Sequence, residues 1–107
     1  MKLKLIKDKK KIEKIFDEGK RIGEGVLYVK FYDFEDSCDE YGISVPKKNF
    51  PLAVTRNRIK RRVRNSVSNL IKKKLKFGYS FFVVISSTTE PSYKTINSSL
   101  SVVFEKL

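Results

Sequence analysis

The chain has no histidine and a single cysteine, Cys38, among its 107 residues. Without histidine there is no imidazole base, no Ser-His-Asp triad and no histidine-containing zinc site. One thiol builds neither an internal disulfide nor a metal cage, and it points to a reducing, cytoplasmic setting. Long apolar runs are also missing. The longest, Phe81-Phe82-Val83-Val84-Ile85, is far too short to span a bilayer. The opening residues Met1-Lys2-Leu3-Lys4-Leu5-Ile6-Lys7 lack the apolar segment of a signal peptide, so no membrane partner is expected. Acids are scarce and unevenly placed. None occurs between Tyr41 and Thr89, whereas Asp33, Glu35, Asp36, Asp39 and Glu40 crowd into one short segment. That segment is not a calcium loop: counted from Asp33, the glycine position holds Cys38 and the closing glutamate position holds Ser44. Carboxylates around metals are another way to cut a phosphodiester, but acids confined to one loop are too local to line a cavity. No catalytic residue and no metal ligand is predicted in this chain.

Positive charge is what the chain has in excess. A formal net charge of +12 calls for a polyanionic partner, nucleic acid or an anionic membrane surface. Its length and its 40% apolar content fit one domain, residues 1–107, around one core. The densest cationic stretch, Ala53-Val54-Thr55-Arg56-Asn57-Arg58-Ile59-Lys60-Arg61-Arg62-Val63-Arg64, opens a helix predicted over residues 52–76 and stopped by Gly78. At roughly 100° per residue, Ile59, Val63, Val67, Leu70 and Ile71 fall within about a third of the circumference, the width of a core stripe. Arg56, Asn57, Lys60, Arg61 and Arg64 lie on and beside one edge of that stripe, while Arg58 and Arg62 point away, to open water. A merely solvated helix keeps its cations opposite the core. Cations along the core boundary predict a groove wall that a large anion fills. Arginine forks and a lysine point charge suit phosphate. The neutral amide of Asn57 suits a phosphate oxygen, a ribose hydroxyl or a hydrated metal. Lys72, Lys73 and Lys74 fall on several sides of the helix end and read as solubilising charge.

Residues 8–18 read as a short helix, with Ile12, Ile15 and Phe16 at i, i+3, i+4 and a stop at Gly19. Lys9, Lys10, Lys11 and Lys14 make its other surface basic. Residues 20–24 read as a turn or very short strand, and Gly19, Gly23 and Gly25 match no phosphate-loop spacing. Residues 26–34 predict a strand with two faces. Leu27, Val29 and Phe31 pack under helices. Val26, Tyr28, Lys30, Tyr32 and Phe34 set a cation between aromatics, either to stack unpaired bases or as a second packed face. Residues 35–40 predict an acidic hairpin loop, and residues 41–46 a strand with Tyr41, Ile43 and Val45 inward. Pro51 suits the first turn of the long helix. Residues 79–86 predict a strand buried on both faces. Helix-start chemistry at residues 87–92 precedes a last helix with Tyr93, Ile96, Leu100, Val103, Phe104 and Leu107 on one face. The order α-β-β-β-α-β-α predicts an α+β fold: a single-domain α/β sandwich with a mixed four-stranded sheet covered by helices.

The spacing Arg56-Asn57-x-x-Lys60-Arg61-x-x-Arg64, preceded by Ala53-Val54 and by Gly42-Ile43-Ser44-Val45-x-Lys47-Lys48, resembles the protein subunit of bacterial ribonuclease P. The resemblance covers nearly the whole chain. It implies a ribosomal-protein-like sandwich with a left-handed β-α-β crossover, where general rules predict a right-handed one. It also implies a ribonucleoprotein endonuclease in which the RNA performs metal-dependent hydrolysis, removing the 5′ leader of precursor tRNA. One protein per RNA is then expected, with magnesium used by the RNA and no cofactor held tightly by the protein. Binding to the ribonuclease P RNA is carried over to Arg56, Asn57, Lys60, Arg61 and Arg64, with Lys47 and Lys48. The leader-binding cleft, between first helix and sheet, is carried over to Phe16, Tyr28, Ile12 and Lys30. Ile12 stands where many members have an aromatic, which weakens stacking there. Without the basic tail some members carry after the position of Leu107, helix and cleft are expected to supply most of the affinity.

Two other functions suit a basic sandwich. A ribosomal or RNA-chaperone-type protein would show a fixed place in purified ribosomes. A DNA-binding protein would lay the long helix in a major groove, but no helix-turn-helix precedes that helix and its cations border the core. DNA is therefore not an expected partner.

Overall fold

The computed structural model describes residues 4–34, 40–71 and 80–106. The elements run β1 (Lys4–Leu5), α1 (Lys9–Glu18), β2 (Lys20–Glu24), β3 (Leu27–Tyr32), β4 (Glu40–Ser44), α2 (Ala53–Ile71), β5 (Ser80–Ile85) and α3 (Tyr93–Lys106). The predicted α-β-β-β-α-β-α order is present. It is preceded by the two-residue β1, which the charged opening segment did not announce and which makes the sheet five-stranded.

The sheet order is β1-β4-β5-β3-β2. β2 and β3 form an antiparallel pair, β5 runs antiparallel to β3 and parallel to β4, and β1 is parallel to β4. One expectation is corrected here: β3 and β4 are not hairpin partners, because β5 lies between them. The side chains give the reason. β5 is apolar on both faces, so it belongs where both faces are covered and both edges are paired. β3 and β4 instead carry Tyr28, Lys30 and Ser44 on their half-buried faces. The acidic loop at residues 35–39, and the predicted helix end with Lys72, Lys73 and Lys74, lie outside the described residues.

α2 and α3 cover one face of the sheet. Leu27, Val29 and Phe31 of β3 and Phe81, Val83 and Ile85 of β5 join Ile59, Val63, Val67 and Leu70 of α2 and Ile96, Leu100, Val103 and Phe104 of α3 in one core. Within it, buried Ser66 donates to Asn97 Oδ1 at 2.8 Å, tying the two helices together. α3 begins where its start chemistry predicts, with Ser92 Oγ accepting from the Thr95 amide at 3.3 Å.

α1 lies on the other face, against the side chains that alternate with the core set. Ile15 is fully buried there, and the Phe16 ring sits 5.0 Å from Phe82. Asp8 caps α1 by accepting from the Lys10 amide at 2.9 Å. Gly19 ends it, with an ordinary φ of −68°, so the left-handed stop is not its role. A Cβ there would overlap the Ile15 carbonyl and come within 2.8 Å of the Phe31 carbonyl. Glycine lets the end of α1 press onto β3. Among the described residues, no helix is long and apolar enough to cross a membrane.

Candidate nucleic-acid interface

The cations of α2 fall into two differently used rows. Arg58 donates from Nε to Glu90 Oε2 at 2.6 Å and from Nη2 to Oε1 at 2.7 Å. Arg62 Nη1 donates to the same Oε2 at 2.7 Å and to the Pro91 carbonyl at 2.9 Å. This corrects the expectation that both arginines point to open water. The wheel turns them away from the core stripe, but the segment leading into α3 folds back onto that side of the helix. The hydrogen bond from Arg58, with the charge of Arg58 and the bonds of Arg62 adding to it, holds the Glu90 carboxyl well below the usual carboxylate range, at about 2.

The other row is uncompensated. Among the described residues no carboxylate pairs with Lys47, Lys48, Lys60, Arg61 or Arg64. Lys47, Lys48, Asn57, Arg61 and Arg64 are exposed, and Lys60 is half-buried. The turn carrying the two lysines is held by the amides of Asn49 and Phe50, which donate to the Pro46 carbonyl at 3.2 and 3.0 Å. The Asn49 amide group also reaches the Ser87 carbonyl at 3.4 Å. The turn therefore presents Lys47 and Lys48 at the entrance to α2. Arg64 faces β4: burial pushes the Tyr41 phenol up, and the nearby Arg64 charge offsets part of that rise. Arg56 stands apart. Its Nη1 donates to the carbonyls of Phe50 at 2.8 Å and Pro51 at 2.9 Å, fixing the chain as it enters the helix. A cationic ledge without a carboxylate among the described residues has the charge that suits phosphates, which bind such surfaces with release of counterions.

The second candidate surface lies between α1 and the sheet. Lys30 Nζ donates to the Phe16 carbonyl at 2.5 Å, a cation at the negative end of the helix dipole. Its ammonium is 6.0 Å from the Phe16 ring. Ile12, one turn before Phe16, is half-buried. The Phe16 ring rests on Phe82, whose own ring lies across Gly42, where a Cβ would overlap it. The structure thus brings Ile12, Phe16 and Lys30 together around α1. Tyr28 is stacked separately: the Arg21 guanidinium lies 3.9 Å from its ring centre. Gly23 opposes Tyr28 in the β2–β3 register, so the arginine two positions away leans across the space. Arg21 is the site residue that the sequence reading passed over. Its signal, a cation facing Lys30 across the pair, becomes visible only once residues 20–24 are known to be a strand. Among the described residues, no group of His, Cys, Asp and Glu side chains is placed to hold a metal ion.

Known proteins share this chain's sequence pattern and its fold. The family model described as Ribonuclease P matches residues 1–107. A ribonuclease P protein component of Clostridium botulinum (strain Loch Maree / Type A3) is 30% identical over 107 residues, 99% of this chain and 96% of that protein. One from Acholeplasma laidlawii (strain PG-8A) is 42% identical over 64 residues, 60% of this chain and 54% of that protein. The Staphylococcus aureus RNase P protein superposes with a TM-score of 0.81 at 25% identity, covering 98% of this chain and 95% of that one. The RNase P protein of Thermotoga maritima shares the fold with a TM-score of 0.82 at 21% identity, over 97% of each chain. Through the match along its full length and the relative that spans it end to end, the chain belongs to the ribonuclease P protein family.

Proposed function

We propose that this ribonuclease P protein component binds the catalytic RNA along the ledge of Asn57, Lys60, Arg61 and Arg64 with Lys47, Lys48 and the N-terminal turn anchored by Arg56. The 5′ leader of precursor tRNA then lies in the cleft of Ile12, Phe16, Tyr28 and Lys30. The observation that carries this reading is the cationic row of α2, which no carboxylate among the described residues neutralises. Stacking on Phe16 and Tyr28, with Lys30 and Arg21 beside them, suits an unpaired strand. The protein binds and orients RNA in the cytoplasm, one copy per RNA subunit. Hydrolysis belongs to the RNA, with its magnesium.

The test is a cleavage assay on precursor tRNA. The pure protein should leave the substrate intact at any magnesium concentration. Added to the cognate ribonuclease P RNA, it should tighten substrate binding, with a benefit that shrinks at high salt and high magnesium as phosphates become screened. Cleavage at the mature 5′ end by protein alone would replace this reading with that of a protein nuclease.

A further inference from the structure

β3 carries its outward-facing aromatics past α1 on both sides. On a wheel of about 100° per residue, Ile12 and Phe16 lie to one side of buried Ile15, and Lys11, Lys14 and Glu18 to the other. On that second side the rings of Tyr32 and Phe34 stand 4.8 Å apart at 58°. The Lys14 ammonium is 5.6 Å from the Tyr32 ring and the Lys11 ammonium 5.2 Å from the Phe34 ring. With Lys10 and Asp33 these residues line an open hollow of about 480 Å³, within the roughly 300–1,000 Å³ of small-ligand sites.

Among the described residues the charges around the hollow cancel. Lys11 pairs with Glu40 at 3.1 Å and Lys14 with Glu18 at 2.9 Å, and exposed Asp33 lines the same hollow as Lys10. Such a site is a poor match for a bare phosphate. What it offers is two aromatic rings, 4.8 Å apart, on which any base can stack. The exposed i,i+4 pair of Lys14 and Glu18 holds little against rearrangement.

We propose that this groove is a second binding site for single-stranded RNA, taking an unpaired base on Tyr32 or Phe34 on the flank of α1 away from Phe16. It is separate from the leader cleft and does not depend on it. Stacking drives it, so the share of the affinity that the Tyr32 ring supplies is nearly independent of salt, unlike that of the α2 ledge.

The experiment is an amide NMR titration of the full-length protein with hexa-adenylate. Shifts at Lys14, Tyr32 and Asp33 should appear in the unaltered protein and persist in a Phe16→Ala/Tyr28→Ala variant that has lost shifts around the leader cleft. In that background Tyr32→Leu, which keeps apolar bulk but has no ring face, should weaken binding about tenfold, while Tyr32→Phe stays within about twofold. The Tyr32→Leu loss should be equal at low and high salt. Shifts confined to the leader cleft or to α2 would overturn the proposal, as would unchanged affinity of a folded Tyr32→Leu. A loss that disappears at high salt would also overturn it, making the hollow a phosphate site. Shifts at residues 32–34 with none around Phe16 and Tyr28 in the unaltered protein would uphold this site and remove the leader cleft instead.

Discussion

Arg58 grips Glu90 with both arms of its guanidinium fork, at 2.6 and 2.7 Å, across 32 residues of sequence. The pair fastens the opening of α2 to the segment that launches α3, and Arg62 reinforces it from the next turn. It also divides the arginines of one helix by task. Arg58 and Arg62 are paired with a carboxylate of the protein itself, while Arg61 and Arg64 meet no carboxylate among the described residues.

Glu90 sets a pH dependence. Its folded carboxyl titrates at about 2, below the roughly 4.3 of an unfolded glutamate. On acidification the unfolded chain takes up this proton first. The contribution of Glu90 to stability is therefore complete above about pH 4.3 and is lost as the pH falls through about 2. Glu90→Gln should lower stability at neutral pH and flatten the stability curve within that window, as read by urea unfolding at a series of pH values. An unaltered curve would show that the exposed pair contributes nothing net.

The division of arginines predicts a division of phenotypes. Arg61→Ala and Arg64→Ala should weaken binding to ribonuclease P RNA by about 1–3 kcal/mol each, the scale of hydrogen bonds to charged groups, with unfolding midpoints nearly unchanged. Arg58→Ala and Arg62→Ala should shift the midpoint and cost clearly less in affinity. Equal losses of affinity at all four positions would reduce α2 to a uniformly charged rod.

If the ledge neutralises about four or five phosphates, the logarithm of the binding constant should fall against the logarithm of salt with a slope near −3 to −5. Titrations at several ionic strengths give this slope directly. A value flatter than about −1 would place the RNA on another surface.

The leader cleft predicts a dependence on substrate length. Phe16→Ala and Tyr28→Ala should each lose about 1–3 kcal/mol of affinity for precursor tRNA with a long leader. Affinity for a leader of a nucleotide or so should hardly change. Gly42→Ala forces the Phe82 ring from its place under Phe16, so it should reproduce part of the Phe16→Ala loss, at a cost of about 1–3 kcal/mol in stability from overpacking. Equal weakening of long- and short-leader substrates by folded variants would exclude the cleft as a leader site.

The parts of this structure legible in the sequence are those set by local periodicity. Ile59, Val63, Val67, Leu70 and Ile71 are all buried, because charged residues between them leave the chain one way to turn. β3 shows its alternation just as plainly, with Leu27, Val29 and Phe31 buried and Tyr28, Lys30 and Tyr32 half-buried. What stayed hidden depends on residues distant in the chain. Nothing near Arg58 names Glu90 as its partner, and nothing near Tyr28 says that Arg21 will lie on its ring. Buried Ser66 looks like a surface residue until Asn97 accepts its hydrogen bond. The neighbour of β3 is hidden for the same reason: a short acidic connection invites a hairpin, and only competition for the sheet centre puts β5 there.

The central position of β5 has a consequence for the birth of the protein. β5 is synthesised after the other four strands, yet it is the one to which both β3 and β4 are paired. A chain emerging from the ribosome can close the β2–β3 pair and begin to coil α2, but β4 has no link to that pair until residues 80–85 arrive to lie between them. Assembly then proceeds by pairings far apart in sequence, the slow kind. Phe82, the floor beneath Phe16, arrives with that strand, as does the surface that fixes α2. A strongly cationic nascent chain, made on a particle built largely of RNA, thus acquires its selective shape only once residues 80–85 have been made.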